Sequence, residues 1–168
     1  MGLTGTWWTW QSLGVEPDIF SFGKKSQVCG IAANKRMDEV ERNVFVESSR
    51  INSTWGGNLV DMVRAEQYIR IIEEENLLDN VNSLGTKVVQ DLSTFARESG
   101  KISNVRGRGL MIAFDLPSEA DRDAAMKALF EAKIIMLPCG DNSLRFRPVL
   151  DMSEADAEAA VSAIRSAL

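Results

Sequence analysis

The sequence has 168 residues, 45% of them hydrophobic and 26% charged, a balance that excludes a disordered chain and suits one ordinary domain or a small domain with part of another. Its net charge of -5 and scattered basic residues offer no footprint for nucleic acid or for an anionic membrane surface. Histidine is absent and Cys29 and Cys139 stand far apart, which rules out a histidine base within this chain and argues against a zinc site.

The elements follow in chain order. Residues 3–13 read as a short tryptophan-rich helix, with Trp7, Trp8 and Trp10 as core packing. Residues 19–22 and 28–33 read as short buried strands of the parallel type, separated by the polar turn GKKSQ. The turn-rich stretch 50–58 leads into a helix in which Leu59, Met62, Val63, Ile69 and Ile72 recur at helical spacing. A second amphipathic run, Leu77, Leu78, Val81, Leu84, Val88, Leu92 and Phe95, ends at Gly100 as a helix-terminating glycine. Residues 102–106 and 110–116 read as strands joined through Gly107, Arg108 and Gly109, with no chemistry assigned to those glycines. Ser118 and Asp121 open a helix to about residue 132, 134–137 and 143–147 are further strands, and Ser153 and Asp156 open a last helix facing its core with Ala157, Ala160, Val161, Ile164 and Leu168. The expected organisation is a remnant at 1–58, connecting helices at 59–100 and a compact α+β domain at 101–168, because two short buried strands cannot cover their own faces. No apolar run reaches the length of a membrane span and MGLTGTWWTW is no secretory signal, so with two unpaired thiols a cytoplasmic setting is expected. The cysteines themselves read as small buried hydrophobes.

Three places carry chemistry. A strand ending at Phe22, then Gly23, Lys24 and Lys25, puts an amine at a strand end, where it can reach into a cleft beside a sheet. Adjacent residues of an extended segment face opposite ways, so only one lysine would enter a site. Read alone, without a family in view, the pair reads as a solvated turn. In SRINSTWGGN, Thr54 precedes two glycines and a helix start, an arrangement suited to an anion; the bland reading is a turn or a capping threonine. In SLRFRP, Arg145 and Arg147 share one strand face and Leu144 and Phe146 the other; a guanidinium there can grip a carboxylate bidentately or simply face solvent.

Taken together, GLTGTWWTW, PDIFSFGKKSQVCG, SRINSTWGGN, NVRGRGLMIAFDL and SLRFRPVL, in this order and spanning essentially the whole chain, resemble class III (ω-) pyridoxal-phosphate aminotransferases. The wording FGKKSQVCG with SRINSTWGGN is most similar to the lysine 6-transaminase branch, with the 4-aminobutyrate and ornithine branches as alternatives. The resemblance implies an α/β fold of the aspartate-aminotransferase type (fold type I), here the tail of the large domain plus the small domain. It implies that Lys24 forms the Schiff base with pyridoxal 5'-phosphate, that Thr54 and Ser53 hold the cofactor phosphate, and that Asn52 lines the pocket. Arg145, as the first arginine of its motif, is implied to bind the α-carboxylate of 2-oxoglutarate or glutamate. Thr54 reaches the other subunit's cofactor in the family, which implies a homodimer. The family's aspartate for the pyridine nitrogen, its stacking aromatic and its same-subunit phosphate loop precede the LTG motif, so the chain alone is expected not to transaminate L-lysine. A non-catalytic, self-associating domain is the competing expectation.

Overall fold

The structure, a computed structural model, describes residues 1–54 and 56–168; Trp55 of the STWGGN motif lies outside the described residues. In chain order the elements are α1 (Thr9–Leu13), β1 (Ile19–Phe22), β2 (Gly30–Ala33), α2 (Leu59–Glu74), α3 (Leu77–Ser99), β3 (Ser103–Arg108), β4 (Met111–Asp115), α4 (Glu119–Glu131), β5 (Leu137–Cys139), β6 (Ser143–Phe146) and α5 (Glu154–Ala167), with 3-10 turns at Lys24–Ser26 and Lys35–Glu39. They fall into two compact units, one of Met1 and residues 8–76, the other of residues 2–7 and 77–168.

The second unit is organised by α3. Leu77, Val81, Leu84, Val88, Leu92 and Phe95 recur every three or four residues and all are buried, so one stripe of the helix faces a core. Gly100 ends the helix in the left-handed conformation (φ 66°), donating its N–H to the Ala96 carbonyl at 3.0 Å. The sheet runs β3-β4-β6-β5, antiparallel throughout. Ile112, Phe114, Leu144 and Phe146 turn one sheet face into the core that α3, α4 and α5 also line. Ser118 caps α4 by accepting the Asp121 N–H at 3.2 Å, and Ser153 caps α5 by accepting that of Asp156 at 3.1 Å. Residues 2–7 are held by glycines. Gly5 (φ 81°) accepts a hydrogen bond on its carbonyl from the Asn82 amide at 2.9 Å, and the Leu3 carbonyl accepts the Leu110 N–H at 3.0 Å. Gly85 lets α3 meet the β3–β4 turn: a methyl group there would lie 2.2 Å from the Gly109 carbonyl oxygen.

The first unit departs from the sequence reading in several ways. The helix expected over 3–13 is only Thr9–Leu13, because Gly2 and Gly5 in left-handed conformations turn residues 2–7 away into the other unit. Trp8 and Trp10 do pack, against Phe20 at 5.0 and 6.1 Å between ring centroids, yet both are half-buried. Strands β1 and β2 are not buried and not of the parallel type: they pair antiparallel, Ile19 opposite Ala33 and Phe22 opposite Gly30, with exposed or half-buried side chains. A connection of a few residues can only return the chain antiparallel. Of the helical positions expected on α2, only Ile72 is buried; Leu59, Met62, Val63 and Ile69 are exposed. Cys29 is exposed and Cys139 half-buried, so neither is the core residue expected. In the second unit the strand expected at 134–137 begins only at Leu137, because Lys133 (φ 66°) closes α4 and the Ile134 N–H returns to the Leu129 carbonyl.

Candidate functional site

Lys24 stands where β1 stops. Gly23 leaves the strand extended, and a side chain there would crowd the Cys29 Sγ at 3.0 Å. Lys24 then takes a left-handed backbone (φ 59°), as does Gln27 (φ 64°). Side chains with a Cβ rarely adopt this conformation, and two within four positions mark a constrained turn of the kind that gathers at functional sites. Lys24 and Lys25 are both exposed, whereas Ser26 is buried and donates its hydroxyl to the Val28 carbonyl at 2.9 Å. The positive φ separates Lys24 from Lys25, a distinction the sequence does not print.

Asn52, Ser53 and Thr54 form an exposed turn closed by the Gly56 N–H donating to the Ser53 carbonyl at 3.0 Å. The helix that follows is not at Thr54's shoulder. It starts at Leu59, and Asn58 caps it, accepting the Val60 N–H at 2.9 Å. The capping alternative for Thr54 is therefore corrected, and the helix-end N–H expected to face an anion is engaged by Asn58. What remains for an anion at this turn is the hydroxyls of Ser53 and Thr54 and the flexible backbone of Gly56 and Gly57 (φ 73°). Among the described residues no hydrogen bond joins this turn to Lys24 within their shared unit.

Arg145 is the centre of β6, exposed between buried Leu144 and Phe146, opposite Ala113 on β4 and Leu137 on β5. The strand ends at Phe146, so Arg147 lies beyond the ladder. On the same sheet face sits a polar cluster that sequence reading missed. Asp115 Oδ1 accepts from Arg106 at 2.7 Å and from the Ser143 hydroxyl at 2.5 Å, and its Oδ2 accepts from the Asn104 amide at 2.7 Å. Arg106 also donates to the Ser143 hydroxyl oxygen at 3.1 Å. Burial pushes the Asp115 carboxyl up, but Ser143, Asn104 and Arg106 outweigh it and hold the carboxyl below its ordinary value of 3.8. Arg122, buried on α4, donates to the Gly140 and Asp141 carbonyls and to Glu119 and Asp123, fastening the turn that leads into β6. Sequence gave no signal for these contacts, since Arg106 and Ser143 are 37 residues apart. Among the described residues no three metal-ligating side chains cluster, and no helix is long and apolar enough to cross a membrane.

The chain belongs to one protein class over its whole length: the family model for class-III aminotransferases matches residues 1–168. Within that family it is similar to the L-lysine-epsilon aminotransferase of Mycobacterium tuberculosis, 49% identical over 99% of this chain and 37% of that protein. It is similar also to the corresponding enzyme of Amycolatopsis lactamdurans, 48% identical over 99% of this chain and 38% of that one. The solved structure of the M. tuberculosis lysine aminotransferase in its internal aldimine form superposes with a TM-score of 0.95 at 49% identity, covering 99% of this chain and 39% of that chain. The fold is thus that of the pyridoxal-phosphate aminotransferases, and the chain spans little more than a third of the length of these relatives. Pyridoxal phosphate is the cofactor of the class. An exposed amine on a constrained turn and two exposed hydroxyls beside glycines are a donor set that fits an aldehyde and a phosphate.

Proposed function

We propose that this chain supplies the amine, the anion-binding turn and the carboxylate grip of an enzyme that moves the ε-amino group of L-lysine to 2-oxoglutarate, giving lysine semialdehyde and glutamate. The observation that carries the reading is Lys24, an exposed amine at the end of β1 on a left-handed backbone, within a chain so similar to lysine aminotransferases. Pyridoxal phosphate, when bound, supplies an aldehyde that links to amines and a ring that accepts the electron pair of a broken C–H bond. Lys24 Nζ would hold the cofactor's aldehyde and, as a base beside the bound substrate, would take and return the proton at the ε-carbon. The Ser53 and Thr54 hydroxyls donate to the phosphate, Thr54 to that of a second subunit in a homodimer, and Asn52 lines the substrate side. Arg145 donates two parallel N–H groups to the α-carboxylate of 2-oxoglutarate and glutamate. On this reading 1–58 is the tail of the cofactor-binding domain, 59–100 the connecting helices and 101–168 the small domain, working in the cytosol, where the free thiols Cys29 and Cys139 stay reduced.

The test is to incubate the protein with pyridoxal phosphate, reduce with borohydride and map the modified peptide by mass. The reading expects the label on Lys24; a label on Lys25, or spread over the lysines in proportion to exposure, sinks it. Comparing L-lysine, ornithine and 4-aminobutyrate as amino donors separates the lysine reading from its sister branches. With Lys24 and Thr54 both exposed, the 168-residue chain by itself is expected not to form glutamate from lysine and 2-oxoglutarate. The competing reading, a self-associating domain without cofactor, draws on the exposed Leu59, Val60, Met62 and Val63 of α2. Light scattering with and without cofactor distinguishes it: association that ignores pyridoxal phosphate, in a protein that takes no label, favours the second reading.

A further inference from the structure

The open face of the second unit's sheet carries the guanidinium groups of Arg106 and Arg145 and one carboxylate from its strands, Asp115. Asp115 pairs across the ladder with Ser143, and Arg145 with Ala113, so Asp115 and Arg145 are diagonal neighbours on one face of adjacent strands. Such neighbours stand about 7–8 Å apart at the backbone, within reach of side chains this long. Left unoccupied, Asp115 would be a carboxylate within side-chain reach of the arginine assigned to the substrate carboxylate, and an internal pair would compete with the substrate for the same fork of N–H groups. The structure holds it otherwise. Both Asp115 oxygens are engaged, Oδ1 by Arg106 and Ser143 and Oδ2 by Asn104, and among the described residues Arg145 makes no ion pair or side-chain hydrogen bond.

We propose that Arg106, with Asn104 and Ser143, is a positioning device that sequesters the Asp115 carboxylate and so keeps the Arg145 guanidinium open for an external carboxylate. The proposal rests on the assignment of Arg145 as the carboxylate grip, and it adds to that assignment a reason why the grip is not closed from within. It accounts for a cluster that adds little by way of exposed ion-pair energy, since Arg106 is close to half-exposed. Buried Ser143 also anchors the start of β6 opposite Asp115, so the strand register that places Arg145 and the capture of its competitor are made by the same residues.

The experiment uses the full chain and the arginine-selective reagent phenylglyoxal, with the label at Arg145 quantified by peptide mass mapping and folding monitored by circular dichroism. In Arg106→Gln, Asp115 is released and Arg145 is expected to react about two- to fivefold more slowly, the range of a surface ion pair. Adding Asp115→Asn to that variant is expected to restore the original rate. A merely structural role for Arg106 would not predict that rescue. Should Arg106→Gln lose its fold, Asn104→Ala frees only Oδ2 and is expected to slow Arg145 by less, again with rescue by Asp115→Asn. Unchanged Arg145 reactivity in the folded variant, or no rescue, overturns the proposal. Protection of Arg145 by glutarate, an unreactive dicarboxylate, reads the underlying assignment separately: absence of protection with slowing and rescue intact removes the carboxylate grip and leaves the sequestration of Asp115 standing.

Discussion

The two units of this chain are made from similar proportions of apolar residues and use them differently. In the second, nine side chains including Phe114, Leu92, Leu110 and Ile164 are almost completely excluded from solvent, and helices and sheet share one core. In the first, Ala65 and Ile72 are the buried apolar positions among the described residues, while Phe45, Val46, Ile51, Leu59, Val60 and Val63 are exposed and the Trp10 indole N–H has no acceptor. Burial of apolar surface is the main stabilising term for a domain, so the second unit holds the means of its own stability and the first does not. The residues assigned to cofactor chemistry, Lys24 and Thr54, lie on the unit that lacks a core, and Arg145 lies on the one that has it. Chemistry that needs a preorganised Lys24 therefore needs the exposed apolar side chains of the first unit to be covered.

The most severe way to break this contrast is to hollow the second unit. Phe114→Ala is expected to cost about 3–5 kcal/mol, the usual toll of removing a fully buried aromatic ring. Val63→Ala, at a position 66% exposed, is expected to change stability by less than about 0.5 kcal/mol. Urea denaturation of both variants, read by circular dichroism, checks the pair. Equal effects would mean that the core is shared more evenly than the burial suggests.

A smaller effect comes from the close approach of the α3 backbone to the β3–β4 turn. Gly85→Ala would set a methyl group 2.2 Å from the Gly109 carbonyl oxygen, and backbone cannot step aside as a side-chain tip can. A destabilisation of about 1–3 kcal/mol is expected despite the better helix propensity of alanine. Gly100→Ala, where no atom lies within 4 Å, isolates the cost of the left-handed backbone from that of the clash.

How much of this was legible follows the same division. The stripe on α3, the serine caps of α4 and α5 and the alternation of Leu144, Arg145 and Phe146 are local patterns, and local patterns survive into the structure where a core rewards them. The helical spacing on α2 is looser, and most of its apolar positions are exposed, because periodicity tells which residues share a face and not whether anything covers it. The left-handed backbone at Lys24 and the Asp115 cluster were illegible for another reason: one is a dihedral angle, the other a contact between residues 28 and 37 positions apart. The motif order from FGKKSQVCG to SLRFRPVL carried the family assignment, and physical pattern alone would have left the lysine pair a solvated turn.

A sharper probe of the second unit is its acid limb. The folded Asp115 carboxyl titrates below its ordinary value of 3.8, so the native state stabilises the ionised carboxylate relative to the unfolded chain. Its stabilising contribution is complete above that ordinary value and is lost as pH falls through the lower folded one. Denaturation midpoints measured between about pH 5 and pH 2 should therefore fall less steeply in Asp115→Asn than in the parent. A parallel fall in both would mean that other carboxylates govern the acid limb.

The smallest expected effect concerns the ion pairs that join α3 to α5. Lys87 on α3 donates to Glu154 and, at 2.6 Å, to Glu158, and the hydrogen bond with Glu154 raises the lysine and lowers the carboxylate pKa. All three side chains are open to water, where solvent screens the charges and the ordering of long side chains offsets much of the attraction. Lys87→Met is accordingly expected to move the melting temperature less than any variant above, and in about 1 M salt, where the screening length falls to about 3 Å, the difference from the parent should vanish. A loss that persists in high salt would show that the lysine acts through its aliphatic stem packed across the two helices rather than through its charge, and would extend the core of the second unit out to that surface.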